Sequence, residues 1–515
     1  MINKFISFIY FSICISQNFI YETEDWLFLK KPHIINSISE GPFDVFFGTP
    51  HGVYSYNFLD ENIYYDYQLN RGFENNHDIL CIHYDNFSDQ IWFITRDYIY
   101  YKNPIFNYFN EIKIMHNDLN DIQKIGSTDK YLVIETNENK YLFDSFSGNE
   151  LTYEELIISN DISWTSIYNR SDRVLDLSSF YTKDWIFGFD SIHDKYGGTE
   201  KVTVNHTDSE NNLWIGTNNG RLLRGYGFSK KLDVIDIGPA FDKITSVERS
   251  QNGEWYLASA FFKINGIVNY FNYYNENRPF LSVWNESRNS WSYFNDSDYA
   301  GIKNPDINYI YSVGQDCLAL GTMNGLILLP LNSSNHHTIV DKSNGLDDSA
   351  IFKIQSYDDK LYLMTSETIS IYSISSEIVT ITDLLKELNI GNSDVLDMII
   401  KDNMLYFSTR SGMFQYNIDF KALKKISNLI FNEIFITDDF IYGSNDFIYQ
   451  LNVNDFSESI ILNFSARNFE ISNNHIWLNY GESVKVINLE TRNEWTYDHN
   501  DGLMDVEIFD IQSTE

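Results

Sequence analysis

Proline and glycine are scarce: 8 and 26 residues in a chain of 515. That excludes collagen-like and low-complexity classes. Three cysteines are too few for a scaffold built on disulfides. Positive charge is short as well, with 37 Lys and Arg against 72 Asp and Glu and a net charge of −35. Such a balance repels phosphate backbones and anionic lipid heads, so neither nucleic acid nor a membrane surface is expected as a partner. No stretch reaches the roughly eighteen apolar residues of a spanning helix, so no membrane insertion is expected. Aromatic residues, by contrast, make up 16% of the chain and hydrophobic residues 43%, which rules out disorder and supplies a large core.

The chain opens with one cation, Lys4, and an apolar run from Phe5 to Ile15, followed by Ser16-Gln17-Asn18. The run is too short to span a bilayer and matches a signal-peptide core, with Cys14 and Ser16 at the −3 and −1 positions of a cut after Ser16. Residues 1–16 are therefore expected to be a signal peptide, which places the mature chain outside the cytoplasm. Cys81 and Cys317 remain, each inside an apolar run and 236 residues apart. Both are expected as free thiols in the core.

One phrase recurs: two or three apolar residues, a small residue, Thr or Ser, a polar turn, and a second apolar run. The clearest copy is Asn212-Leu213-Trp214-Ile215-Gly216-Thr217-Asn218-Asn219-Gly220. Others carry their marker at Thr49, Thr95, Thr322, Thr365, Thr409 and Ser444 or lie at Ile476 to Leu478, weaker copies end at Thr136 and Ser259, and a further unit is Trp185 to Phe189. A second phrase, Asn344-Gly345-Leu346 followed by alternating apolar residues to Gln355, precedes a marker and returns at Asp501-Gly502-Leu503. Its period of two predicts strands with one buried face. Helical periodicity is almost absent; Asp383 to Leu388 predicts one short helix.

Short strands in groups of about four, repeating every 40 to 50 residues, predict an all-β fold, a β-propeller. A four-stranded blade cannot cover both of its apolar faces alone, so blades stack. About eleven units are expected, as two tandem propellers of five to seven blades or as one large ring. The provisional division is 17–265 and 266–515. Within each phrase, the Trp or Tyr is expected to pack between blades. Gly48, Gly216 and Gly321 would allow close approach, and the Thr would bind the adjacent turn.

The segment Asp208 to Gly220 resembles the two-component regulator propeller repeat, whose pattern is an Asp and a turn, then Leu-Trp-Ile-Gly-Thr and a Gly-containing turn. The Asp-Gly-Leu and Asn-Gly-Leu phrases at Gly502 and Gly345 look like its other half, and the resemblance runs from about Trp26 to the C-terminus. It implies either the extracytoplasmic sensor region of a hybrid histidine kinase or a stand-alone secreted propeller, including an accessory component of type IX secretion. The sequence has no membrane helix, kinase segment or sorting domain, so the stand-alone form is expected. The C-terminal half-repeat, Val506 to Gln512, is expected to complete a blade begun by Asp25 to Phe28.

Catalytic spacings are missing: there is no His-Glu-x-x-His, Gly-x-Ser-x-Gly, Gly-x-x-x-x-Gly-Lys-Ser/Thr or Cys-x-x-Cys. His336-His337 reads as a solvated pair rather than metal ligands. Asn295 to Gly301 has calcium-loop spacing without the closing Glu and reads as a turn. Thr207 to Trp214 echoes the Asp-box turn of sialidase propellers, with Ser209 and Asn211 in place of its Asp and Gly. Tyr270 to Tyr274 could stack a sugar but reads first as sheet filling. The expected protein has no catalytic residues, no metal and no cofactor, and binds a protein or glycan on a propeller face through residues the sequence does not identify. The alternative is a glycan lyase or glycoside hydrolase with carboxylates converging near the central channel.

Overall fold

The computed structural model describes residues 29 and 31–511, apart from 60, 71–77, 104–107, 117–120, 152–161, 168–175, 183–184, 195–198, 227, 241–243, 259–278, 296–298, 300–301, 303–305, 332–336, 392, 465–467, 499–500, 502 and 504–510. They form ten antiparallel sheets, and the fold is a multi-blade β-propeller. Blades 1 to 10 span 37–65, 81–113, 122–151, 185–235, 246–294, 307–340, 353–381, 395–427, 433–462 and 469–497. Among the described residues helix is confined to short turns such as Leu384–Glu387, which Asp383 caps by accepting the Lys386 N–H at 3.0 Å.

Ten sheets replace the eleven expected units because Trp185–Phe187 does not found a blade. It pairs with Ser191–Asp194, which pairs with the start of the nine-residue strand Thr199–Thr207. The rest of that strand pairs with Asn212–Thr217, so the units at Trp185 and Trp214 share one six-stranded sheet. The division after residue 265 falls between Glu254–Ala258 and Leu281–Asn285, which pair within blade 5. Trp284 and Trp291 face each other on the third and fourth strands of that blade. The phrase at Asn344 is only partly a strand. Lys342–Asn344 is a 3₁₀ turn closed by Gly345 at φ 101°, and the strand begins at Lys353.

The phrases marked by Thr49, Thr95, Thr136, Thr322, Thr365 and Thr409 are hairpins fastened by that Thr, while Thr217 donates instead to Glu200. Thr49, Thr322 and Thr409 donate to the carbonyls of Gly52, Gly325 and Gly412 at 2.7, 2.9 and 3.2 Å and accept an N–H from the same turn. The carbonyl of the marker Thr then receives the chain entering the next blade. Ile79 N–H donates to Thr49 O at 3.1 Å and Ile351 N–H to Thr322 O at 2.9 Å. The preceding Gly makes room for this crossing: a Cβ on Gly321 would lie 2.9 Å from Ile351 Cγ2, and one on Gly216 2.5 Å from Ile35 Cβ.

The same link joins residues far apart in sequence, because Ile35 N–H donates to Thr217 O at 3.1 Å. Blade 4 thus stands to blade 1 as blade 1 stands to blade 2. Trp214 of blade 4 packs on Phe47 and Tyr56 of blade 1, with ring centroids 5.6 and 4.8 Å apart. Shared apolar clusters then join blade 1 to blade 2 and blade 2 to blade 3. A second series runs through blades 5 to 10 in chain order. The two series touch where Asn289 donates to Ile63 O at 2.9 Å and Tyr293 to Gly238 O at 2.7 Å. Cys81 and Cys317 are free, the first buried and the second half-buried. Leu503 and Ile511 pack against blade 10, while the rest of the C-terminal half-repeat and residues 1–28 lie outside the described residues.

Candidate functional site

Neighbouring blades approach through their innermost strands, and in blades 2, 6, 9 and 10 the free edge of that strand has N–H groups with no strand partner. Polar side chains from the adjacent blade accept these donors. Ser37 and Ser39 of blade 1 accept from Ile82 and Tyr84 of blade 2 at 2.9 and 2.8 Å. Ser246 and Glu248 of blade 5 accept from Ile310 and Ser312 of blade 6, at 2.9 and 2.8 Å. Asp397 of blade 8 accepts from Ile434 of blade 9 at 2.8 Å, and Glu433 of blade 9 from Phe469 of blade 10 at 3.1 Å. Paired in this way, buried N–H groups avoid a desolvation penalty of about 1–3 kcal/mol each.

A charge cluster at this level lies between blades 7 and 9. Lys353 Nζ donates to Asp397 Oδ1 at 2.7 Å, and that oxygen also accepts the Met398 N–H at 2.8 Å. Burial alone would lower the Lys353 ammonium. The charges of Asp397, Tyr309 and Glu433 and the Asp397 hydrogen bond outweigh it and hold the group above the ordinary lysine range. A cation so held is no base and no amine nucleophile. Burial raises the Glu248 carboxyl, against hydrogen bonds from Ser312 that lower it.

In the first series, Ser163–Trp164 pairs with the innermost strand of blade 3 and Ser166–Ile167 with that of blade 1, so this segment crosses between them. Thr165, at its middle, donates to Ser39 Oγ at 3.1 Å and meets His83 Nδ1 at 2.8 Å. That network assigns the His83 proton to Nδ1 and leaves Nε2, buried, with no partner among the described residues. Burial, opposed by Asp85, pushes His83 down to about 4. Nearby, Ser166 Oγ lies 3.4 Å from His206 Nδ1, and His206 Nε2 lies 3.7 Å from Glu40. Burial would raise Glu40, but the nearby His206 ring and the hydrogen bonds donated by Ser209 bring it below its ordinary value.

The lowered His83 value fixes a pH dependence. The unfolded chain binds this proton near 6.5 and the folded chain near 4, so stability is lost as pH falls between them. From pH 7.5 to 4.5 His83 should remove about 2.5 kcal/mol, measured by urea unfolding. His83→Gln should flatten that stretch of the profile. An unchanged slope would assign the dependence to other groups.

Several of the sequence candidates lie outside the described residues. His337 packs edge-on against Tyr299 with centroids 5.9 Å apart, while His336 lies outside the described residues. So do Asp296 to Asp298 and Tyr270 to Tyr274. Among the described residues no group of three His, Cys, Asp or Glu side chains is placed to hold a metal ion. None of their helices is long and apolar enough to cross a membrane. The Asp208 turn is a tight fastening. Its carboxylate accepts from the N–H groups of Glu210 and Asn212 at 3.1 and 2.7 Å, from Asn212 Nδ2 at 3.0 Å and from the Trp214 indole at 2.9 Å. The interblade acceptors were missed in sequence; the polar partners in runs such as Ser246-Val247-Glu248 are the signal that could have found them.

No protein-family profile matches the sequence, and no curated protein is significantly similar to it. Solved structures are similar in fold. The chain resembles PorZ, a surface component of the type-IX secretion system of Porphyromonas gingivalis, at 12% identity and TM-score 0.53, over 93% of this chain and 83% of PorZ. The extracellular domain of the two-component system protein BT4673 from B. thetaiotaomicron matches at 12% identity and TM-score 0.41, over 92% of this chain. The chain spans 66% of that domain, just under two thirds. That of BT3049, from the same organism, matches at 13% identity and TM-score 0.31, over 93% of this chain and 78% of its own.

Proposed function

We propose that this chain is an exported, non-catalytic β-propeller of the two-component regulator type, a module that binds a protein or glycan on one face. The observation that carries the reading is the use of the axial titratable groups. Asp397, Glu433 and Glu248 spend oxygens on neighbouring backbone N–H groups, and Lys353 is locked to Asp397. A general acid or nucleophile needs a group free to exchange a proton or attack. The repeat resemblance, the signal-like start and the fold shared with surface and extracellular proteins support the same reading. In it, blades 1–4 and 5–10 form two successive rings.

The purified mature chain, from Gln17 onward, should be incubated with neutral and acidic glycans and with peptides, followed by product analysis of every bound species. Binding with no new product is expected. A cleaved glycan would overturn the reading and direct attention to the axial carboxylates.

A further inference from the structure

The two ends of blades 5 to 10 differ chemically. One end carries the loops between first and second strands and between third and fourth. The other carries the hairpins between second and third strands and the crossings to the next blade. On the described loops of blades 6 to 10, five exposed large apolar residues sit at the second end: Met323, Phe352, Ile430, Phe447 and Tyr480. On the described loops of the first end Phe420 alone among large apolar residues is exposed, with Ile378 at the adjoining start of a fourth strand.

The loops that bear these side chains are tied to one another. Asn308 Nδ2 reaches both Met323 Sδ, at 3.3 Å, and Ile351 O, at 3.1 Å, which sets Met323 beside the crossing that bears Phe352. Asn445 Nδ2 donates to Ile430 O at 3.0 Å and its Oδ1 accepts the Phe447 N–H at 3.0 Å, joining a second pair. The Tyr480 ring lies 6.0 Å from that of Phe464. Among the described residues the charge of the same end is negative: six exposed carboxylates, Asp347, Glu367, Asp446 and Glu482 among them, stand against three cations. Of those cations, Arg410 is already bound to Asp394 at 2.6 Å.

We infer that this end of blades 6 to 10 is a docking face for a protein segment that combines apolar side chains with Lys or Arg. The inference deepens the binding-module reading and rests on it. Apolar groups on tied loops supply the anchoring contacts, and the surrounding carboxylates favour a cationic partner and disfavour an acidic one. The same charge works against an anionic glycan at this end.

The test uses the full mature chain and three fluorescein-labelled twelve-residue peptides: alternating Leu and Lys, alternating Leu and Glu, and alternating Ser and Lys. Fluorescence anisotropy should show the Leu–Lys peptide binding tightest. The double substitution Phe352→Ser with Phe447→Ser should weaken it at least tenfold. Phe420→Ser, at the opposite end, should leave it within twofold, and circular dichroism should show all variants folded. Equal loss from Phe420→Ser, equal binding of the Ser–Lys peptide, or no binding of the Leu–Lys peptide would each overturn the inference. If peptides fail while a glycan binds uncleaved, the docking face falls and the binding-module reading stands; glycan cleavage would remove the latter.

Discussion

Replacing Asp397 with alanine is expected to destabilise the fold by about 3–5 kcal/mol, the usual cost of removing one member of a buried ion pair. The variant leaves the ammonium of half-buried Lys353 without its carboxylate and strips the acceptor from the Ile434 and Met398 N–H groups. The effect should be strongly non-additive. Once Asp397 is gone, Lys353→Met removes an orphaned cation, so the second change should cost little or restore stability, with a coupling of about 2 kcal/mol or more. The pH profiles should differ too. In the parent, Lys353 is held above its ordinary value, so its contribution is complete below the unfolded lysine range and is lost only as pH rises through the folded value. In Asp397→Ala the principal attraction is absent, and stability should instead rise with pH as the lysine gives up its proton. Urea unfolding of the four chains from pH 6 to 10 checks both points; additive losses with parallel profiles would contradict the pairing.

Asp208→Ala is expected to cost about 3–4 kcal/mol, because four donors lose one buried acceptor at once. The indole of Trp214 is among them, and that ring is also the contact of blade 4 with Phe47 and Tyr56 of blade 1. The loss should therefore spread beyond the turn to this interface, with faster amide exchange at Ile35, whose N–H is bound to Thr217 O. Asp208→Asn keeps one acceptor oxygen but turns an NH₂ toward the donors, so it should fall between alanine and the parent. A loss below about 1 kcal/mol for the alanine variant, the scale of one ordinary hydrogen bond, would show that the turn holds without its carboxylate.

Hairpins were legible because their signal is local. The apolar run, the Gly and the Thr lie within six residues, and the Thr acts on the next three. Blade 4 shows where a local signal misleads: Trp185 to Phe189 has the composition of a new unit, yet its strand is added to a sheet whose long strand, Thr199–Thr207, has room for two partners. The interblade acceptors were not legible for a related reason. Alternation in Ser37-Ile38-Ser39 or Ser246-Val247-Glu248 reads as one face in the core and one in water. Ser37, Ser39, Ser246 and Asp397 are all buried, because the polar face of an innermost strand meets the next blade rather than solvent. Their partners stand 37 to 64 residues away, as between Asp397 and Ile434 or Glu248 and Ser312, so no short window contains both.

Titratable groups on the innermost strands serve as fastenings between blades. Amide hydrogen exchange resolved to Ser312, Ile434 and Phe469 tests it most directly, since these N–H groups are bound to the side chains of Glu248, Asp397 and Glu433. All three should exchange as slowly as the paired interior of the sheets, and Asp397→Ala should accelerate Ile434 selectively. Exchange as fast as that of exposed hairpin tips in the parent chain would mean that these carboxylates are not committed to the backbone, and would return them to the pool of groups available for catalysis.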